Sequence, residues 1–268
     1  MNYLIVPFGV CNMKIYVLNF RRILLYMLVI AVAVFIVSVI SLKGMDALGV
    51  FSSERDLPIY SVERSTKVAS ITFDNAWGDD DIPDILNSLK EANVKATFFI
   101  VGQWAEKYPD KVRMIALAGH DIANHSYSHL RMGTLDQARI KSEIQQANSV
   151  LEKLAGSKIE LFRAPYGDYS NSVVAAAREL GCYTIQWNVD SLDWKPDIDK
   201  ETIMSRIRSK TVPGSIILFH NDTRHTAQIL PEVISTLKGM GYELVPVSKL
   251  ILRENYIMDS EGRQMIAD

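Results

Sequence analysis

From Val68 onward the chain alternates between two rhythms: short apolar runs of strand length, and longer stretches whose apolar residues recur with helical spacing. The runs predict strands over Val68–Phe73, Ala96–Gly102, Asp121–Asn124, Leu161–Ala164, Tyr183–Val189, Ser215–Phe219 and Glu243–Val247. Helical stretches fall between them, over Ile82–Ala92, Lys111–Ala118, Leu135–Leu154, Ser172–Leu180, Lys200–Ser209 and Ala227–Met240. Strand-then-helix units joined by short loops call for a parallel sheet, either closed as a barrel or doubly wound. In both architectures the chemistry gathers just after the strands.

Before Val68 the pattern changes. Ile23 to Ile40, "ILLYMLVIAVAVFIVSVI", carries no charge, and the run extends to Leu42, matching the roughly 20 residues that a helix needs to cross a bilayer. Arg21 and Arg22 stand immediately before it and Lys14 upstream, whereas Lys43 alone follows closely, so the N-terminus is expected in the cytoplasm. No small-x-small cleavage site follows the run, which favours an uncleaved anchor over a signal peptide. The expectation is a single-pass protein of the cell membrane. Residues 1–22 are then cytoplasmic, 23–42 transmembrane, 43–67 a polar stalk, 68–248 the folded extracytoplasmic domain and 249–268 a tail. The opening "MNYLIVPFGVCN" suits neither a leader nor a domain element, and Met13 begins a more usual basic lead-in, so translation is expected to start there.

Composition narrows the partners. With 29 Lys and Arg against 31 Asp and Glu, the net charge of −2 excludes a polyanion-binding surface, so no nucleic acid is expected. Cys11 and Cys182 form no disulfide framework or metal motif. Nothing in the sequence points to a protein partner.

The strand ends carry the candidate chemistry. The first strand runs into Asp74 and Asn75 in "ITFDNAWGDDD", and desolvating such a pair costs several kcal/mol unless partners compensate. The third leads to His125 and His129 in "NHSYSHL"; on a helical turn this spacing puts both imidazoles on one face, where they can share a metal. The fourth ends in "RAPYGD", with Arg163, Pro165, Tyr166 and Gly167, the fifth in "VDSLDW", with Asp190, Asp193 and Trp194, and the sixth in "IILFH", with His220. Taken singly, each fits a cap, a turn or a surface ion pair.

Their order is more specific. "TFDNA", "HSYSH", "RAPYG", "DSLDW" and "IILFH" resemble the five successive motifs of the polysaccharide deacetylases, the NodB-homology domains of carbohydrate esterase family 4, over about Val68 to Ser248. The resemblance implies a distorted (β/α)7 barrel and one divalent metal, zinc first, with cobalt, manganese or nickel as alternatives. It also implies removal of N-acetyl groups from chitin-like or peptidoglycan glycans, or of O-acetyl groups from xylan. By the same resemblance, His125, His129 and Asn75 hold the metal and Asp74 is the base, with Arg163 keeping it ionised. The Tyr166 N–H is an oxyanion donor and His220 the acid, with Asp193 behind it. Trp194 and Leu218 wall the acetyl pocket, though plain core packing explains Leu218 equally well.

Asn75 departs from the family pattern, which carries a second aspartate there, and a carboxamide is the weaker donor to zinc. Cell-wall peptidoglycan is the expected substrate, because an enzyme outside the membrane meets the wall glycan first; an O-acetyl esterase and a silent glycan-binding protein are the alternatives. His120 is expected to be structural, His225 has no metal-spaced companion, Asp190 is read as a cap, and Asp79, Asp80 and Asp81 as N-capping residues.

Overall fold

The computed structural model describes residues 3–4, 18–47 and 56–267, with the side chains of 3–4, 18–20 and 36–47 excepted. Cys11, Met13 and residues 48–55 of the expected stalk lie outside the described residues. The chain divides into two units, Met1–Arg55 and Asp56–Asp268. In the first, strands β1 (Tyr3–Leu4) and β2 (Leu18–Asn19) pair antiparallel, and helix α1 spans Phe20–Ala47. The apolar side chains of α1 from Ile23 to Phe35 are mostly exposed. Among the described residues no helix is long and apolar enough to cross a membrane; the described side chains of α1 stop at residue 35, short of a full span.

The second unit is an α/β domain built on a curled, mainly parallel sheet. Strand β3 (Ser61–Val62) is followed by β4 (Val68–Asn75), β5 (Thr97–Ile100), β6 (Asp121–Asn124), β7 (Leu161–Phe162), β8 (Tyr183–Thr184), β9 (Val189–Asp190), β10 (Ser215–His220) and β11 (Glu243–Leu244). Strands β12 (Tyr256–Met258) and β13 (Arg263–Ile266) close the chain. Parallel pairing runs from β10 through β4, β5, β6 and β7 to β8. The segment expected as one strand from Tyr183 to Val189 instead changes partner midway. Its first half pairs with β7 and its second, as β9, with β10, and this switch returns the sheet to the strand where it began. The result is a distorted barrel rather than an open, doubly wound sheet. Strand β11 occupies only the start of β4, opposite Val68 and Ala69, while β5 takes the rest.

Two boundaries differ from the sequence expectation. The end of the presumed stalk belongs to the domain: Ile59 bridges to Ile185, and Ser61 pairs with Ser215 of β10. The presumed tail is a hairpin, β12 with β13, and β13 lies parallel to β3. Strands this short, with mixed polarity, carry too little alternation to be read from the pattern.

The helices cover the outer face of the barrel. They are α2 (Ile82–Glu91), α3 (Gly102–Lys107), α4 (Pro109–Leu117), α5 (Gln137–Ala155), α6 (Asn171–Glu179), α7 (Lys200–Lys210), α8 (Thr226–Gly239) and the short α9 (Val247–Leu250). Alternation along β4 explains how one strand serves both core and site. Ala69, Ile71 and Phe73 enter the core between sheet and helices, where Phe73 stacks on Phe98 at 4.9 Å. Thr72 and Asp74 take the other face and meet a buried arginine. Register then aligns the strand ends, with His220 opposite Asp74, and Asn75 opposite Ile100, which is itself opposite Asn124.

His120 is structural, as its position suggests. Its Nδ1 accepts the Ala96 N–H at 3.1 Å, and its ring meets Phe98 at 5.4 Å. Burial, with the Lys95 ammonium nearby, pushes its imidazole from 6.5 down to about 4. The fold therefore holds the neutral ring while the unfolded chain takes up a proton below 6.5, so stability falls as pH drops from 6.5 towards about 4. The loss at the low end is about 3 kcal/mol. The difference in urea midpoint between His120→Gln and the wild type should accordingly narrow as the pH is lowered across this window; a constant difference would contradict this role.

Candidate active site

Asp74 and Arg163 form the centre. Arg163 is fully buried, and its Nη1 donates to Asp74 Oδ1 at 2.6 Å and to Thr72 Oγ1 at 3.0 Å, while Nη2 donates to Gln186 O at 3.1 Å. Its guanidinium also lies 3.9 Å from the centre of the Phe99 ring. Burial alone would raise the Asp74 pKa, but Arg163, with His125 and His220, outweighs it and holds the carboxyl below its usual range.

His125 and His129 come together, though not on a helical turn. The segment after β6 is a loop in which Ser126 (φ 62°) and His129 (φ 57°) both adopt the left-handed conformation, and it brings the two rings to 5.1 Å between centres. His125 Nδ1 donates to Arg163 O at 2.9 Å, which leaves Nε2 with its lone pair, 3.4 Å from Asp74 Oδ2. His129 Nδ1 lies 3.1 Å from the Tyr166 hydroxyl. Burial lowers the pKa of both imidazoles, that of His129 to about 3, so both are neutral and able to act as ligands.

Whether these residues suit a metal can be judged from Asn75. It is fully buried, and neither Oδ1 nor Nδ2 has a hydrogen-bond partner, a costly state that a ligand or water would relieve. Among the described residues no group of three or more His, Cys, Asp or Glu side chains is gathered as a metal site. Two neutral histidines and a carboxamide fit a divalent ion, but as a ligand set without negative charge.

The acid side is built around Asp193, which is 2 % exposed. Its Oδ1 lies 2.8 Å from His220 Nδ1, while Oδ2 accepts the His220 N–H at 2.7 Å and the Thr226 hydroxyl at 2.5 Å. Burial opposes the charged imidazole, but the hydrogen bond and charge of Asp193 prevail, and the His220 pKa lies above its ordinary value. Tyr166, with φ 61° and ψ 10°, sits in a 3-10 turn over Pro165–Gly167 whose own bonds are donated by Gly167 and Asp168 and leave the Tyr166 N–H out. Trp194 is half-exposed, and Leu218 is buried within β10.

Some readings change. Asp81 precedes α2 without capping it; its carboxylate accepts the Asp222 N–H at 2.9 Å instead, and Asp79 pairs with Lys111 at 3.4 Å. Asp190 accepts the Leu192 N–H at 2.8 Å, which is the capping role expected of it. Nothing in the pattern points to Thr226, which sits at the start of α8 like an ordinary helix opener, or to the Tyr166 hydroxyl, whose partner is fixed only by the loop. Trp77, edge-on to His129 at 5.6 Å, was also missed.

A carboxylate whose pKa is lowered, an imidazole whose pKa is raised and two neutral histidines, all at one end of a parallel barrel, are the equipment of a hydrolase. The polysaccharide deacetylase family model matches residues 61–185. A peptidoglycan-N-acetylglucosamine deacetylase of Bacillus cereus is 34% identical over 185 residues, which are 68% of this chain and 67% of the relative. The peptidoglycan-N-acetylmuramic acid deacetylase PdaA of Bacillus subtilis is 29% identical over 72% of this chain and 75% of its own. Among solved structures, a carbohydrate esterase family 4 pseudoenzyme from Bacillus anthracis superimposes with a TM-score of 0.71 at 32% identity, covering 78% of this chain and 70% of that one. The chain belongs to the polysaccharide deacetylase family, and its fold is that of carbohydrate esterase family 4.

The Asp193–His220 pair makes a pH prediction. With its pKa raised by Asp193, His220 keeps its proton to higher pH than an ordinary imidazole, so a reaction that needs that proton should be lost only as pH rises through the raised value. Replacing Asp193 with Asn removes the charge and should move the alkaline limb of kcat/KM down by about one pH unit or more. An unmoved limb would show that another group sets it.

Proposed function

We propose that this protein is an enzyme of the cell-wall compartment that removes N-acetyl groups from peptidoglycan amino sugars. The observation that carries this reading is the pairing of two oppositely tuned groups, Asp74 with its pKa lowered by Arg163 and His220 with its pKa raised by Asp193, at one barrel mouth. Asp74 takes a proton from the attacking water as its oxygen joins the acetyl carbon. The developing oxyanion is received by the Tyr166 N–H. His220 gives its proton to the sugar nitrogen as the carbon–nitrogen bond breaks, releasing acetate and a free amine. His125, His129 and Asn75 would hold a divalent ion, zinc first, which when bound polarises the water and the acyl oxygen. Trp194 and Leu218 flank the acetyl group, Trp194 at the rim and Leu218 from the wall.

The location belongs to the same proposal. The uncharged run Ile23–Ile40 lies within the 28-residue helix α1, and Arg21 and Arg22 precede it, which supports a single-pass anchor with the domain outside. Deleting residues 1–42 should release the protein from the membrane fraction without detergent.

The decisive measurement is acetate released from purified peptidoglycan across a metal series. The wild type should release acetate only with metal, and Asp74→Asn should lower the rate about 100-fold or more. His220→Ala should slow turnover while keeping the metal, whereas His125→Ala should lose it. A wild-type protein that releases no acetate with any metal would instead be a silent member of the family, like the pseudoenzyme it resembles.

A further inference from the structure

We infer that Glu143 is the positioning residue that sets the metal-binding loop, an assignment that rests on the metal reading of His125 and His129 given above. Glu143 lies on α5 and is completely buried, and it is none of the residues assigned to the reaction. A buried carboxylate is expensive unless its oxygens are occupied. Here both are used on the His125–His129 loop. Oε2 accepts the Tyr127 N–H at 3.1 Å and the Ser128 N–H at 2.7 Å, and Oε1 accepts the Ser128 hydroxyl at 3.0 Å. Arg139, one turn earlier on α5, balances the charge at 2.7 Å from Oε1.

The loop needs such a hold. Ser126 and His129 are both left-handed non-glycine residues, a conformation that costs about 1 kcal/mol or more each and persists only where the surroundings determine it. The other bonds of the loop main chain are local or go to neighbouring backbone. Ser126 N–H goes to Asn124 Oδ1, His129 N–H to Ser126 Oγ, and the loop carbonyls of Ser126 and Tyr127 accept from Gly102 and Gln103. Without Glu143 the two amides between the histidines, those of Tyr127 and Ser128, lose their acceptor, and the strained turn that presents His129 loses its tie to α5. Groups that orient metal ligands in this way typically change affinity 10- to 100-fold when removed.

The test uses the full chain in detergent, with Zn2+ and Co2+ as probes. Metal affinity, the visible spectrum of the cobalt form and the thermal melt of the metal-free protein are compared for wild type, Glu143→Gln and Glu143→Ala. Gln keeps the shape and one oxygen that can still accept both amides, but loses the charge opposite Arg139 and the oxygen that accepts the Ser128 hydroxyl, so it should bind about 10-fold more weakly, Ala more weakly still, and the cobalt spectrum should shift in both while the metal-free melts stay cooperative. Wild-type affinity and an unchanged cobalt spectrum in both variants would overturn the assignment, whatever their melting temperatures. So would loss of cooperative melting in both variants, which would assign Glu143 to the fold alone, and so would a wild type that binds neither metal. Metal binding without acetate release would sink the deacetylase reading and leave this one standing.

Discussion

The ion pair between Asp74 and Arg163 is the constraint around which the domain is arranged. Neither charge is tolerable alone in the barrel, and breaking such a pair typically costs about 3–5 kcal/mol because the survivor stays buried. Arg163 also binds the wall at three further points, through Thr72, Gln186 O and the Phe99 ring. Its backbone is equally engaged: its N–H donates to Asn124 O, and its carbonyl accepts from His125 Nδ1. One residue thus fixes the ionisation of Asp74, the tautomer of a neighbouring histidine and the spacing of β4, β6 and β7. Function and fold share the same hydrogen bonds here.

The acid side repeats the principle with different parts. Asp193 touches His220 twice, at the ring and at the main chain, and Thr226 occupies the remaining lone pair. Two buried carboxylates in one site are therefore put to opposite uses by their partners. The permanent cation beside Asp74 lowers that carboxyl's pKa. The titratable ring beside Asp193 has its own pKa raised by the carboxylate instead.

Much of this was legible in the sequence because the site residues fall at the ends of apolar strands, where pattern and chemistry change together. Asp74, His125, Arg163, Asp193 and His220 were each placed by that rule, and the barrel delivers them to one end through register. What was hidden depends on backbone conformation or on very short elements. No composition signal marks left-handed serine and histidine, so the spacing of His125 and His129 does not by itself tell a helical turn from this loop. Glu143 looks like a solvent-facing charge in "ARIKSEIQQ". The available clue was that it lies between Ile140 and Ala147 on the same buried stripe of α5. The strands around Ile59 and Arg263 escaped because two or three paired residues leave no periodicity.

Those last strands bear on how the domain is made. Tyr60 N–H donates to Gly262 O, Glu63 N–H to Gln264 O, and Val62 N–H to Gly214 O, so the first strand of the domain is held largely by segments synthesised much later. Gly214 leaves no room for even a methyl group, since a Cβ there would stand 1.6 Å from Val62 O. Contacts across such sequence separations are formed late, after the entropy of closing a long loop has been met. On an emerging chain the first strand must therefore wait for its backbone partners, some until Gly214 and the last until the C-terminal hairpin arrives. During that interval the nascent domain presents an open sheet edge to whatever surrounds it.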